Sequence, residues 1–121
     1  MFKKIAFTMY PALDVARARK FYEETLGFTP GLTGGQGGKY WIEYDLPGGG
    51  CLAITNTTGA SPGGGTVAFE VEDLDTLISD LKRKGVEFKT DVIHGPNCRM
   101  SLCTDSEGNS ILLHQLNPKK S

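Results

Sequence analysis

Four side chains in the sequence could carry proton, nucleophile or metal chemistry: Glu43, Glu70, Cys98 and His114. An imidazole titrates near neutrality and a carboxylate can orient it, so His114 and Glu70 suit an acid–base pair. The same two groups would equally serve to hydrogen-bond a ligand, a water or each other. With Glu43 added, they supply the nitrogen and oxygen donors that a divalent metal takes. Cys98 with His114 would be a thiol–imidazole nucleophile pair, which needs a base within reach and usually an electropositive setting. Arg99 is the adjacent cation, but strand alternation sends it to the face opposite Cys98. The plain alternative for His114 is a half-exposed histidine near a strand end. Cys51 and Cys103 read as small apolar packing residues.

Two helices and eight short strands must position these groups. Asp73 is a natural N-cap for a helix carrying Leu74, Leu77, Ile78 and Leu81 at helical spacing, with Gly85 closing it. Asp14 opens another, through Val15, Ala18, Tyr22 and Leu26, with Gly27 as the stop. Strand-forming runs precede each helix at Ile5 to Tyr10 and Thr66 to Val71. Three more follow each: Thr29 to Thr33, Tyr40 to Asp45 and Cys51 to Thr55, then Glu87 to Ile93, Arg99 to Thr104 and Ser110 to Gln115. Glycine-rich stretches, Gly34 to Gly38 and Pro47 to Gly50, read as turns between strands. On these boundaries His114 is the only histidine on a strand.

The order is βαβββ twice, and its landmarks keep one offset. Asp14 and Asp73, Gly49 and Gly108, and Leu52-Ala53-Ile54 and Ile111-Leu112-Leu113 all differ by 59. Gly27 and Gly85 differ by 58, a one-residue slip assigned to a loop. Landmarks of different kinds at one spacing imply duplication. Charge is balanced, 13 basic against 14 acidic residues in 121, so no field draws nucleic acid or an anionic membrane. Three cysteines without a C-x-x-C pair fit a reduced, cytoplasmic setting. No segment reads as a signal or a membrane span.

The segments Phe21-Tyr22-Glu23-Glu24-Thr25-Leu26-Gly27-Phe28, Phe69-Glu70-Val71-Glu72-Asp73-Leu74-Asp75 and Asp105-Ser106-Glu107-Gly108-Asn109 resemble the paired modules of the vicinal oxygen chelate superfamily. It includes glyoxalase I, extradiol dioxygenases and bleomycin resistance proteins. The resemblance implies an α+β fold: tandem βαβββ modules forming a curled mixed sheet around a cavity, helices outside. It implies one domain over 1–121, with module one at 1–58, a linker at 59–65 and module two at 66–117. Catalytic members hold a divalent metal from the first and last strand of each module. Those positions here are Phe7, Ala53, Thr66 and Leu112, which supply no donor beyond one neutral hydroxyl, so neither metal nor other cofactor is expected.

The expectation is a metal-independent small-molecule-binding protein, a homodimer without nucleic-acid or membrane partners. Its ligand-binding residues would be Phe7, Met9, Trp41 and Glu43 in the first module, and Thr66, Glu70, Leu112 and His114 in the second. Trp41 and Tyr40 alternate, so one of the two lines the pocket. The alternative is a glyoxalase-like lyase or isomerase, using relocated ligands or metal-free acid–base chemistry, with His114, Glu70 and Cys98 as its catalytic candidates.

Overall fold

Asp14 and Asp73 open the two helices as their residue type requires. Each aspartate is extended and accepts a backbone N–H three residues on, from Arg17 and Thr76. The computed structural model describes residues 1, 5–57 and 63–117, in two compact units, Met1–Pro62 and Gly63–Ser121. Of the linker expected at 59–65, residues 59–62 lie outside the described residues.

The first unit runs β1 (Thr8–Pro11), α1 (Val15–Arg19) continued by a π-helical turn (Lys20–Thr25), β2 (Pro30–Gln36), β3 (Lys39–Asp45) and β4 (Cys51–Thr55). Its sheet has the order β1-β4-β3-β2, with β1 parallel to β4 and the other pairs antiparallel. The second unit runs β5 (Thr66–Glu70), α2 (Leu74–Arg83), β6 (Ile93–His94), β7 (Cys98–Thr104) and β8 (Ser110–Leu116), in the order β5-β8-β7-β6. The fold is α+β, two βαβββ modules each forming its own four-stranded mixed sheet, neither closed on itself.

The repeat extends to individual hydrogen bonds. Ala12 N donates to Thr55 O as Val71 N does to His114 O, and Leu46 N to Gly50 O as Asp105 N does to Asn109 O, all displaced by 59. The slip between Gly27 and Gly85 is absorbed inside the first helix, and not in a loop. Leu26 N reaches Phe21 O across a π turn, which holds one residue more than an α-helical turn.

Three strands depart most from the sequence reading, while the others agree within a residue. β1 starts at Thr8 and extends through Pro11, a residue that an edge strand tolerates because it lacks an N–H for the ladder. β2 runs on through Gly34, Gly35 and Gln36, and the chain reverses over only Gly37 and Gly38. Both have positive φ (62° and 80°), the geometry of a two-residue hairpin turn. The sixth strand shrinks to Ile93–His94, with an isolated bridge from Phe88 to Cys103. Thr90 breaks it: its hydroxyl accepts Leu102 N–H, and its carbonyl accepts the Ser101 hydroxyl. His94 is thereby a strand residue, so His114 is not the only one.

Each helix covers one face of its sheet. In the first unit Tyr22 stacks on Tyr44 at 5.7 Å, above Ile42, Leu52 and Ile54. In the second, Leu74 and Leu81 are buried with Ile111, Leu113 and Cys103. Burial pushes the Cys103 thiol up to about 11, so it stays protonated and inert.

A polar clamp joins the first helix to its sheet. Glu23 accepts from Arg19 Nε at 2.7 Å and from the Tyr44 hydroxyl at 2.9 Å. The Arg19 hydrogen bond, aided by that from Tyr44, holds the Glu23 carboxyl below its ordinary 4.5 despite partial burial. A depressed folded-state value means that Glu23 stabilises the fold above 4.5, and that this is lost as pH falls through the lowered value. Urea midpoints of the wild type and Glu23→Gln should therefore differ most near neutrality and converge in acid. A difference that grows in acid would contradict the assignment.

Candidate functional site

Strand alternation leaves each sheet one face without a helix, and the chemistry-bearing residues are on it. In the second unit Glu70 sits directly across from His114 on the parallel pair β5–β8, and Met100 of β7 sits across from His114 on the other side. Ala68 and Leu102 flank Leu112 in the same way. Glu70 Oε1 lies 2.6 Å from His114 Nδ1, and Oε2 accepts the Leu116 N–H at 2.7 Å. The Leu116 N–H first, then His114, lower the Glu70 carboxyl from its ordinary value, so it is ionised at neutral pH. An ionised carboxylate only accepts, which places an imidazole proton on Nδ1; in the neutral ring Nε2 is then the acceptor.

The strand beneath this pair is fixed from the opposite face. Gln115 Oε1 accepts the Leu74 N–H at the start of α2 (2.8 Å) and an Arg99 N–H (3.1 Å). Arg99 also binds both Asp75 oxygens at 3.0 Å. Arg99 is thus on the helix face, as alternation required. Cys98 is on the face of His114 but is paired with Leu116, one pleat beyond the Met100–His114 pair. Its sulfur lies over Gly95, where a Cβ would come within 2.8 Å. No thiol–imidazole hydrogen bond joins Cys98 to His114 among the described residues.

In the first unit the helix-free face carries Met9, Trp41, Glu43 and Ala53, with Glu43 and Met9 on either side of Ala53. Trp41, and not Tyr40, belongs to this face. Its Nε1 donates to Glu43 Oε2 at 2.8 Å, and the Phe7 ring meets it edge-on at 5.3 Å. Phe7 lies just before β1 and is 43% exposed, whereas Ala53 is fully buried. Pro11 and Thr55 stand where Glu70 and His114 stand in the second unit. The N–H of Thr57, the counterpart of Leu116, goes to the Thr55 hydroxyl at 3.0 Å.

The residues do not fit the metal that the fold family implies. Phe7, Ala53 and Leu112 have no donor atom, and Thr66 has one neutral hydroxyl, weaker than the imidazole and carboxylate donors such ions take. Among the described residues no three His, Cys, Asp or Glu side chains gather as an ion would require. The structure pairs His114 with Glu70, and Glu43 with Trp41.

Sequence reasoning missed the Glu23 clamp and the Gln115 cap. Arg19 and Glu23 at i,i+4 were a visible signal for the first. Trp41 and Glu43, two apart on a strand, were equally visible as same-face neighbours. Nothing local marks Gln115, because its partners are distant in sequence.

Two βαβββ modules of mixed four-stranded sheets define the paired-module fold. The chain belongs to the glyoxalase/bleomycin resistance protein/dioxygenase superfamily, whose family model matches residues 4–113. A comparison with curated proteins finds no match. Among solved structures, the antibiotic-binding protein TnmS3 from Streptomyces sp. CB03234 is 23% identical, with a TM-score of 0.82, covering 96% of this chain and 98% of that one. A superfamily member from Sphaerobacter thermophilus DSM 20745 is 22% identical, with a TM-score of 0.80 and coverage of 94% and 98%. A glyoxylase/bleomycin resistance protein/dioxygenase domain from Frankia sp. EAN1pec is 18% identical, with a TM-score of 0.78 and coverage of 99% and 96%. At these identities the likeness is one of fold.

Proposed function

We propose that this protein binds a small organic molecule on its helix-free sheet faces, without a metal, as a homodimer in the cytoplasm. The observation that carries the reading is the make-up of those faces. Each combines apolar surface with one oriented polar pair, Trp41–Glu43 or Glu70–His114. A few placed polar groups on an apolar lining suit an organic ligand of modest size. The donor-poor positions Phe7, Ala53, Thr66 and Leu112 support metal independence. The fold shared with an antibiotic-binding protein supports a ligand of that general kind. Balanced charge gives no attraction for nucleic acid, and no helix among the described residues is long and apolar enough to cross a membrane. Three free cysteines agree with a reducing compartment.

Trp41 is the only tryptophan in the chain, so its emission reports on the first of these faces without a label. Titration with planar aromatic antibiotics and metabolites should change that emission saturably for at least one compound. Trp41→Phe should abolish the signal, and Glu43→Ala should weaken binding about tenfold, as for the loss of one hydrogen bond on a binding surface. Emission that no compound perturbs would count against the reading.

The Glu70–His114 pair favours a second reading, metal-free acid–base catalysis by a lyase or isomerase. An imidazole oriented by a carboxylate, with its second nitrogen open, is the arrangement a general base needs. Product formation lost in His114→Gln but retained after chelation would establish it.

A further inference from the structure

We propose that His114 Nε2 is the recognition point of a site on the second module that takes a flat ligand bearing a phenolic or enolic hydroxyl, the hydroxyl donating its hydrogen bond to that nitrogen. The inference deepens the binding reading above and rests on it. Glu70 is held from two sides, by the Leu116 N–H and by His114 Nδ1, so the imidazole is oriented with a proton on Nδ1. Among the described residues nothing bonds Nε2, and the His114 side chain is 26% exposed, half-covered yet open to a ligand. A neutral imidazole so fixed offers one acceptor and no donor at its open edge.

Apart from Glu70, the nearest register neighbours of His114 on this face are apolar. Met100 lies directly across on β7, and Leu112 precedes His114 by two residues on the same strand face, with Ala68 beside it. The short Ala68 side chain leaves room, and a thioether makes favourable contacts with aromatic rings. Of the titratable groups on the strands and helix packed against β8, Glu70 and Cys98 share this face. Arg99 and Asp75 face the other way and bind each other. Among the described residues of these elements, no lysine or arginine shares this face to meet a carboxylate or phosphate ligand. The site selects a hydroxyl by accepting its hydrogen, and a surface built to bond a hydroxyl discriminates strongly against an analogue that lacks it.

The test compares beta-naphthol with its methyl ether, which keeps the rings and loses the donor, by calorimetric titration of the full chain. The wild type should bind the naphthol roughly tenfold or more tightly than the ether, a difference expected for one hydrogen bond. His114→Phe should remove that preference while still binding the ether. Glu70→Gln should reduce the preference, because the imidazole loses its fixed tautomer. Circular dichroism of both variants confirms that each is folded. Equal affinity of the wild type for naphthol and ether, or a preference undiminished in His114→Phe, overturns this inference and leaves small-molecule binding standing. Failure of the wild type to bind either compound or any aromatic compound tested on Trp41 overturns both.

Discussion

Replacing Tyr22 by alanine should cost about 3–5 kcal/mol, the range for deleting a large buried aromatic side chain. Tyr22 is fully buried. It stacks on Tyr44 at 5.7 Å, meets Phe28 at 6.0 Å and stands edge-on to Phe21 at 5.1 Å. Those rings hold the π-helical turn against the sheet, so the cavity opens where the helix is least regular. Its collapse would also misplace Glu23, which binds the Tyr44 hydroxyl from the same turn. A domain of this size has a total stability on the order of 5–15 kcal/mol, so a large share would be lost. Urea unfolding followed by circular dichroism gives the number. A midpoint shift equivalent to under about 1 kcal/mol would mean that the cluster does not anchor the helix.

The second large effect is expected at Asp105, in the turn between β7 and β8. Its Oδ1 accepts the N–H groups of Glu107 and Asn109, both at 2.8 Å, and its Oδ2 accepts from the Asn109 side chain at 2.9 Å. Asn109 is fully buried, and its side-chain oxygen accepts the Gly63 N–H. Asp105→Ala strips the acceptor from several donors at once, and each buried orphan carries a desolvation cost. The expected loss is roughly 2–4 kcal/mol. Asp105→Asn keeps one carbonyl oxygen and should cost less. The corresponding turn of the first module has Leu46 at this place and closes on the same backbone bonds alone. Leu46→Ala is therefore the control, with a smaller expected effect. Equal losses at the two positions would refute the role given to the Asp105 carboxylate.

Much of the architecture is legible in single residues, because they act locally. Asp14 and Asp73 cap the helices they precede, and Gly85 ends the second helix with a positive φ of 88°. Cys51–Thr55 carries its strand on the expected bounds. Gly34 and Gly35 misled because glycine usually marks a turn. Here the Tyr40 ring covers Gly35, which has no Cβ to keep it away, and the strand continues. The π turn was hidden because a repeat offset records an insertion without saying whether a loop or a helix holds it.

The site was legible by parity and opaque in its contacts. Alternation puts Glu70 and His114 on one face, but only strand register decides that they stand opposite each other. Register likewise makes Cys98 a neighbour of Leu116, two residues out of step with His114. The same register gives Pro11 and Thr55 in the first module, so the duplication carries the backbone scheme to both halves and the carboxylate–imidazole pair to one.

The central claim is ligand binding without a metal, and a melting experiment on chelator-treated protein tests it most directly. The metal content should be well below one ion per chain. An aromatic ligand found through Trp41 should raise the melting temperature by the same amount before and after chelation. A stoichiometric divalent ion bound at His114, or a ligand shift that chelation abolishes, would contradict the account.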